Sequence, residues 1–322
     1  MNEPGTRNRV AVIIPCHNEA ATVDQVVRDF RDALPGAAIV VGDNASTDRT
    51  AEVARAAGAT VVFEPRLGKG FVISRMFAEV DADCYLMVDG DATYDPDAAS
   101  TLVAAVLDDG VDMACGIRVI DEAEEGASEQ YRPGHQLGNR LFSGAFSRLF
   151  GMPMADVFSG YRAMSRGFVR SFLGAPRGFE IEIELNAHCF VVLGGYREVP
   201  SAYRARPEDS ESKLRTYRDG WRIGRALVRL FTELRPFAAF AILAVPCLVA
   251  AIGLGLFAII PYLQTGLVLR FPSLIAALAF AQAAVVLLTV GFVLSRVAVN
   301  RREVRRSAYL ASVSPVVTAS AP

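Results

Sequence analysis

Residues 10–14 form a short apolar run rich in β-branched side chains, followed by the polar loop Pro15-Cys16-His17-Asn18-Glu19. Val23, Val26, Val27, Phe30 and Leu34 then recur at helical spacing, which predicts one strand-loop-helix unit. Residues 38–41 repeat the pattern, ahead of the loop Gly42-Asp43-Asn44-Ala45-Ser46-Thr47 and a helix through Ala57. Residues 60–63 and 85–88 supply two more strands. Short strands separated by helices predict an α/β domain on a parallel or mostly parallel sheet, where ligands bind at the carboxyl ends of the strands. The polar loops fall at those ends.

The last third of the chain follows another pattern. Between Arg235 and Arg296, 60 residues carry one charge, Arg270, which leaves uncharged stretches of 34 and 25 residues. Both exceed the ~20 residues that cross a bilayer as a helix. Residues 237–262 and 273–297 are expected to form a transmembrane hairpin around a turn at 263–272; a buried helical pair in a soluble core would seldom run so long without a charge. Just before it, Tyr217, Trp221, Gly224, Val228 and Phe231 make one helical stripe and Arg218, Arg222, Arg225 and Arg229 another. That is the pattern of a helix lying in the headgroup layer, or of an amphipathic helix packed on the domain. The expected division is the α/β domain at 1–215, a juxtamembrane helix at 216–235, the hairpin at 236–298 and a tail at 299–322.

Composition sharpens the division. A chain of 322 residues, 52% hydrophobic and 21% charged, has room for two structural units and is too apolar to be disordered. The net charge of -2 conceals an asymmetry: residues 1–203 carry 18 Lys or Arg against 29 Asp or Glu, and residues 204–322 carry 15 against 6. A basic segment of that kind meets an anionic surface, either membrane or nucleic acid, and the apolar runs choose the membrane. Arginines flank both spans, so both termini are expected in the cytoplasm, with the protein multi-pass in the cell membrane. The apolar run at residues 10–14 is too short for a signal peptide and is closed by Pro15. Cys16, Cys84, Cys115, Cys189 and Cys247 have no paired metal spacing, which suits packing residues in a reducing compartment.

No Gly-x-Gly-x-x-Gly turn follows the first strand and no Walker-type loop is present, which weighs against a dinucleotide oxidoreductase. Carboxylates stand there instead: Glu19, Asp43 and the run Asp89-Gly90-Asp91. Acidic loops grip a diphosphate through a divalent cation, because hard oxygen ligands hold Mg²⁺ or Mn²⁺ and the metal holds the phosphates. Asp89 and Asp91, after an apolar strand, are the expected metal ligands. Asp-x-Asp alone is equally a solvated acidic turn. Asp43 is likewise a candidate N-cap for the following helix, a role open also to Ser46 and Thr47.

Taken together, Val12-Ile-Ile-Pro-Cys-His-Asn-Glu19, Asp43-Asn-Ala-Ser-Thr-Asp-Arg-Thr50, Gly68-Lys-Gly70 and Val88-Asp-Gly-Asp91 resemble glycosyltransferase family 2, whose members have the GT-A fold, a Rossmann-like nucleotide-sugar domain. Asp156-Val-Phe-Ser-Gly-Tyr-Arg162, Gly178-Phe-Glu-Ile-Glu-Ile-Glu-Leu185 and Ser210-Glu-Ser-Lys-Leu214 extend the resemblance toward the polyprenyl-phosphate sugar transferases of the dolichol-phosphate type. The resemblance implies that Pro15, His17, Glu19 and Asp43 surround the nucleoside, that Lys69 also serves the donor, and that Asp89 and Asp91 face the diphosphate and its metal. Thr93 stands where mannosyl members often have Gln, and His17 replaces a frequent Tyr. On the acceptor side it implies Arg118, Arg132 and Arg206 near the lipid phosphate, with Ser212 and Lys213 in a phosphate-binding turn and Asp156 as an acceptor-side carboxylate. Glu180, Glu182 and Glu184 alternate with apolar residues, which by period is an edge strand; the family places this segment on a helix.

The expected function is transfer of a hexose or related sugar from a nucleotide sugar, UDP- or GDP-linked, to polyprenyl phosphate, with inversion. Partners are then the nucleotide sugar, the lipid phosphate and the membrane, not nucleic acid, and a homo-oligomer stays open. Two rivals remain: a transferase of the same fold acting on a glycan or lipid hydroxyl, and a non-catalytic nucleotide-sugar sensor anchored to the membrane.

Overall fold

The computed structural model describes residues 9–119, 133–151, 153–172, 181–203, 224–225 and 228–312. Its sheet contains β1 (Val10–Cys16), β2 (Ala38–Asp43), β3 (Thr60–Phe63), β4 (Cys84–Met87), β5 (Met113–Val119), β6 (Arg162–Ser165) and β7 (Tyr196–Ala202) in the order β3-β2-β1-β4-β6-β5-β7. β6 runs antiparallel to both β4 and β5, while the remaining pairs are parallel. The carboxyl ends of β1, β2, β4, β5 and β7 therefore meet the start of β6 along one edge. The sequence pattern anticipates β1 to β4 and misses the other three.

Alternate residues of each strand face opposite layers. Val12, Ile14, Cys16 and Leu86 join one apolar cluster with Val23, Val26, Val27 and Phe30 of α1 (Val23–Ala33), Ala54 of α2 (Thr50–Ala56) and Leu102 of α4 (Ala99–Leu107). On the other face Val72 and Met76 of α3 (Lys69–Glu79) cover Gly42. Phe77 there stacks edge-on against Tyr85 and Phe172, with ring centroids 6.1 and 5.9 Å apart. α5 (Pro133–Phe150) and α6 (Arg166–Ser171) precede α7 (Ile181–Val192).

α7 replaces the strand that the Glu-Ile alternation predicts and agrees with the helix that the family resemblance implies. Its polar side chains are buried with the apolar ones: Glu182 and Asn186, four residues apart on one face, meet Lys69 and Arg162, and His188 meets Ser171. With polar groups satisfied inside the protein, alternation no longer reports a wet and a dry face. Neither Asp43, Ser46 nor Thr47 caps the next helix either. α2 begins at Thr50, whose backbone N–H and hydroxyl both donate to Asp48 Oδ1, at 2.9 and 2.5 Å.

Contacts divide the chain into a unit of residues 1–224 with 305–322 and a second unit of residues 225–304. In the first, Tyr309 donates to Asp112 Oδ1 at 2.7 Å. The second contains all of α8 (Pro236–Thr265) and most of α9 (Phe271–Ser312), helices of 30 and 42 residues that are both long and apolar enough to cross a membrane. The turn between them is shorter than expected, because Gly266, at φ 70°, caps α8 by donating to Tyr262 O. Ala277, Ala284, Gly291 and Ala298 are the buried residues of α9, spaced by seven, and Gly291 lies against Phe237 and Phe240. A heptad of small residues lets two helices approach closely along one seam. Of the juxtamembrane helix, residues 228–234 are helical and Arg229 pairs with Glu233 at 2.8 Å; Tyr217, Arg218, Trp221 and Arg222 lie outside the described residues.

Candidate active site

The loops after β1 and β2 are laced together at the sheet edge. Asn44 N donates to Cys16 O at 2.8 Å, His17 Nδ1 donates to Asn44 O at 2.8 Å, and Asn18 Oδ1 accepts from Thr47 N at 2.8 Å. The buried Asn44 side chain donates to Glu64 O and Arg66 O and accepts from Gly68 N, at 3.2, 2.7 and 2.7 Å. One amide thus fixes the segment that leads into Lys69, the first residue of α3. Pro15 lies in β1 beyond the last β1–β4 pair, Ile13 with Met87, so no ladder bond to β4 is lost there. Buried Asp43 ends β2 and accepts from Ser46 N at 3.2 Å. Half-buried Glu19 opens the turn into α1 through its own carbonyl, which accepts from Thr22 N and Val23 N.

Asp89-Gly90-Asp91 follows β4. A Cβ on Gly90 would stand 2.4 Å from Cys16 Sγ, so only glycine lets this loop pass the end of β1. Thr22 Oγ1 donates to Gly90 O at 2.6 Å and pins the loop from the other side. Asp91, 5% exposed, accepts from Thr93 Oγ1 at 2.6 Å and Thr93 N at 3.3 Å. Thr93 therefore positions Asp91. Asn18, Ala45 and Ala92 are non-glycine residues with φ near +50 to +60° (54°, 51° and 58°), one in each loop after β1, β2 and β4. Backbone strain of this kind costs about 1 kcal/mol or more per residue and persists where surrounding structure imposes it, commonly at functional sites.

Lys69 Nζ bridges Asp89 Oδ1 at 2.5 Å and Glu182 Oε1 at 2.7 Å. Burial works against the charged ammonium, but the two carboxylates outweigh it and hold Lys69 above the ordinary lysine range. Glu182 is a site residue the sequence pattern did not single out. Its signal was its place among the alternating acids of that segment, and the helix brings it to Lys69.

Because β6 runs backwards, the loop before it reaches the same edge. Gly160 is pressed against the Asp89 carboxylate, where a Cβ would stand 2.4 Å from Oδ2, and its N–H donates to Tyr94 OH at 2.8 Å. Buried Asp156 is held by Arg118 in a two-pronged pair, Nε to Oδ2 at 2.6 Å and Nη2 to Oδ1 at 2.8 Å. The Arg118 guanidinium also lies 5.5 Å from the Tyr203 ring centre, within cation-π range. Arg162, fully buried, donates to Ser159 O at 2.8 Å, Val157 O at 3.1 Å and Asn186 Oδ1, and so anchors the whole loop from within. Arg132, Arg206, Ser212 and Lys213 lie outside the described residues.

Among the described residues no cluster of three His, Cys, Asp or Glu side chains could hold a metal alone. The donor set still fits a hard divalent cation: Asp89 and Asp91 supply two carboxylates, and such a cation completes its shell with water and phosphate oxygens. Cys84 and Cys189 do not compete for this role, since burial pushes their thiols up to about 12.

A family model described as Glycosyl transferase family 2 matches residues 11–173. The chain belongs to glycosyl transferase family 2. This glycosyltransferase is 32% identical over 258 residues to glycosyltransferase AglJ of Haloferax volcanii, covering 78% of the chain and 82% of that protein. It is 28% identical over 233 residues to a dolichyl-phosphate hexose transferase of the same organism, covering 71% of the chain and 97% of the relative. Among solved structures it resembles Mycobacterium tuberculosis glucosyl-3-phosphoglycerate synthase in complex with Mn²⁺, UDP and phosphoglyceric acid, at TM-score 0.55 and 23% identity over 70% of this chain and 78% of that one. That likeness establishes the GT-A fold of this glycosyltransferase.

Proposed function

We propose that this glycosyltransferase moves one hexose from a UDP- or GDP-linked sugar to a polyprenyl phosphate at the cytosolic membrane surface, with inversion at the anomeric carbon. The observation that carries the reading is the state of Asp156, both of whose carboxylate oxygens are engaged by Arg118. A sugar hydroxyl must lose its proton during attack and needs a positioned base. A phosphate monoester, with a second pKa near ~6, arrives largely ionised and needs none. Asp156 then orients Arg118 toward the acceptor, and the chemistry rests on alignment and on neutralising the leaving group.

On the donor side, Pro15, His17, Glu19 and Asp43 would surround the nucleoside, and Asp89 and Asp91 would hold Mg²⁺ or Mn²⁺. Such a cation neutralises the charge that develops on the departing diphosphate. Thr93 and Gly160 keep the two carboxylates in place for it. On the acceptor side, Arg132, Arg206, Ser212 and Lys213 would complete the cationic pocket for the lipid phosphate. Support comes from the dolichyl-phosphate hexose transferase relative, from the Mn²⁺ and UDP of the solved neighbour, and from two apolar helices in the same chain. Arginines flank these helices, including Arg229 and Arg235 before them and Arg301, Arg302 and Arg306 after, which favours cytoplasmic ends.

The test offers the purified chain UDP- and GDP-hexoses together with undecaprenyl phosphate or, separately, undecaprenol and glycolipid hydroxyls, and identifies products by mass. A hexosyl phospholipid from the phosphate alone is expected. Product from a hydroxyl acceptor alone would replace this reading with the hydroxyl-transferase one, and nucleotide-sugar binding without any product would favour the sensor.

A further inference from the structure

We propose that the Lys69 ammonium is a displaceable counter-ion of Asp89, and that Glu182 is the carboxylate that keeps the ammonium when a divalent cation takes Asp89. The inference rests on the reading that Asp89 and Asp91 face the metal, and it assigns Glu182 a positioning role in that site.

One ammonium is shared by two carboxylates of unequal exposure. Side-chain exposure is 28% for Asp89, 14% for Lys69 and 6% for Glu182. A cation arriving from solvent reaches Asp89, whereas Glu182, on the buried helix α7, would be left as an uncompensated buried charge if it lost the ammonium, a strongly unfavourable state. Of the two ion pairs, the one with Asp89 is therefore the one that opens. The Asp89 carboxylate abuts Gly160 on one side, at a place where any Cβ would collide with it. The lysine stem, with its rotatable bonds, is the part that moves.

Charge explains why such a device is useful. Asp89, Asp91 and Glu182 bring three negative charges to this region and Lys69 returns one; without it the carboxylates would repel one another whenever no metal is bound. Lys69 thus holds the loop after β4 near its working shape, and competes with the metal while doing so. Once displaced, it stays beside Glu182 and its positive charge remains close to the diphosphate.

The experiment titrates Mn²⁺ alone, with no nucleotide, into the detergent-solubilised 322-residue chain and reads bound metal from loss of the free-ion EPR signal. Lys69→Met is expected to tighten Mn²⁺ binding about tenfold or more, the scale on which a neighbouring opposite charge changes a carboxylate's affinity for a proton. Glu182→Gln is expected to weaken it by a similar factor, because Lys69 is then left to Asp89 alone. Lys69→Met leaves the Glu182 carboxylate stranded in a buried site, so Lys69→Met with Glu182→Gln carries the test should the single variant not fold; it is expected to bind as tightly as Lys69→Met. Unchanged or weaker binding in the lysine variants, with Asp91→Asn still weakening it, overturns the counter-ion and leaves the metal site standing. If Asp91→Asn has no effect on Mn²⁺ binding, the metal reading fails and this proposal fails with it.

Discussion

The catalytic unit and the hairpin are packed inside out with respect to each other. In the first, the large side chains are the hidden ones: Ile13, Ile14, Leu86, Met87 and Phe168 are 0% exposed, and the charged interior groups Arg162 and Glu182 sit beside them with hydrogen-bonded partners. In the second, the buried residues apart from Pro236 at the start of α8 are Ala and Gly, while Ile252, Leu263, Leu278 and Val285 are more than half exposed. A water-facing domain gains stability by removing large apolar side chains from solvent. Helices that lie in a membrane, as proposed for α8 and α9, gain nothing that way, and associate by close approach along small residues. The same residue type therefore has opposite value in the two units, and polar groups are kept inside only where chemistry or a buried loop needs them.

Asp91→Asn should break the catalytic unit's function without disturbing its packing. Turnover is expected to fall by about 10³-fold or more, on the order of 4 kcal/mol of transition-state stabilisation, while thermal unfolding stays near that of the parent. Full activity, or activity indifferent to EDTA, would contradict a metal held by this carboxylate. In the core, Leu86→Ala should destabilise the catalytic unit by about 2–5 kcal/mol, measured by chemical denaturation in detergent.

His188 tests whether the catalytic interior excludes charge that lacks a partner. Burial is the main reason its imidazole is held down to about 4 against the ordinary 6.5, and the Phe168 carbonyl only partly opposes this. Between those values the unfolded chain binds a proton that the native state refuses. The contribution is whole above pH 6.5 and is lost as the pH falls toward 4, about 3 kcal/mol in total. Unfolding measured across this window should show the loss in the parent and a flatter profile in His188→Gln.

The hairpin should respond to the reverse substitutions. Gly291→Leu places a large side chain where Phe237 and Phe240 close in, and should cost about 1–3 kcal/mol by overpacking, seen as lost protease resistance of the hairpin. Leu278→Ala, at a position 71% exposed, should change stability by less than ~0.5 kcal/mol. A large loss there would mean that Leu278 has a protein partner rather than lipid around it.

The sequence by itself determined what local pattern can carry. β1 to β4 are visible because each is a short apolar run between polar loops, and α8 and α9 because 60 residues with one charge are far more than a helical pair in a soluble core carries. The motif loops likewise placed Asp43, Asp89 and Asp91 as candidates, since their spacing from strand ends is local, whereas Asp156 and Arg118 entered only through the family resemblance. Tertiary structure alone decided the rest. β5 carries Gly116 and Arg118, β6 begins on Arg162, and β7 contains Pro200; none reads as a strand until neighbours supply the ladder, and Pro200 is tolerated because β7 is the sheet edge. The alternating acids before Leu185 read as a strand until Lys69, 113 positions away from Glu182, gave one of them a buried partner. Period reports which side of an element meets water, and it fails where both sides are buried and a polar side chain is satisfied by a residue distant in the chain. Asp89 shows the same division: its place after β4 is local, while Lys69 and Gly160 reach it only because β6 runs backwards and α3 and α7 pack at the same edge.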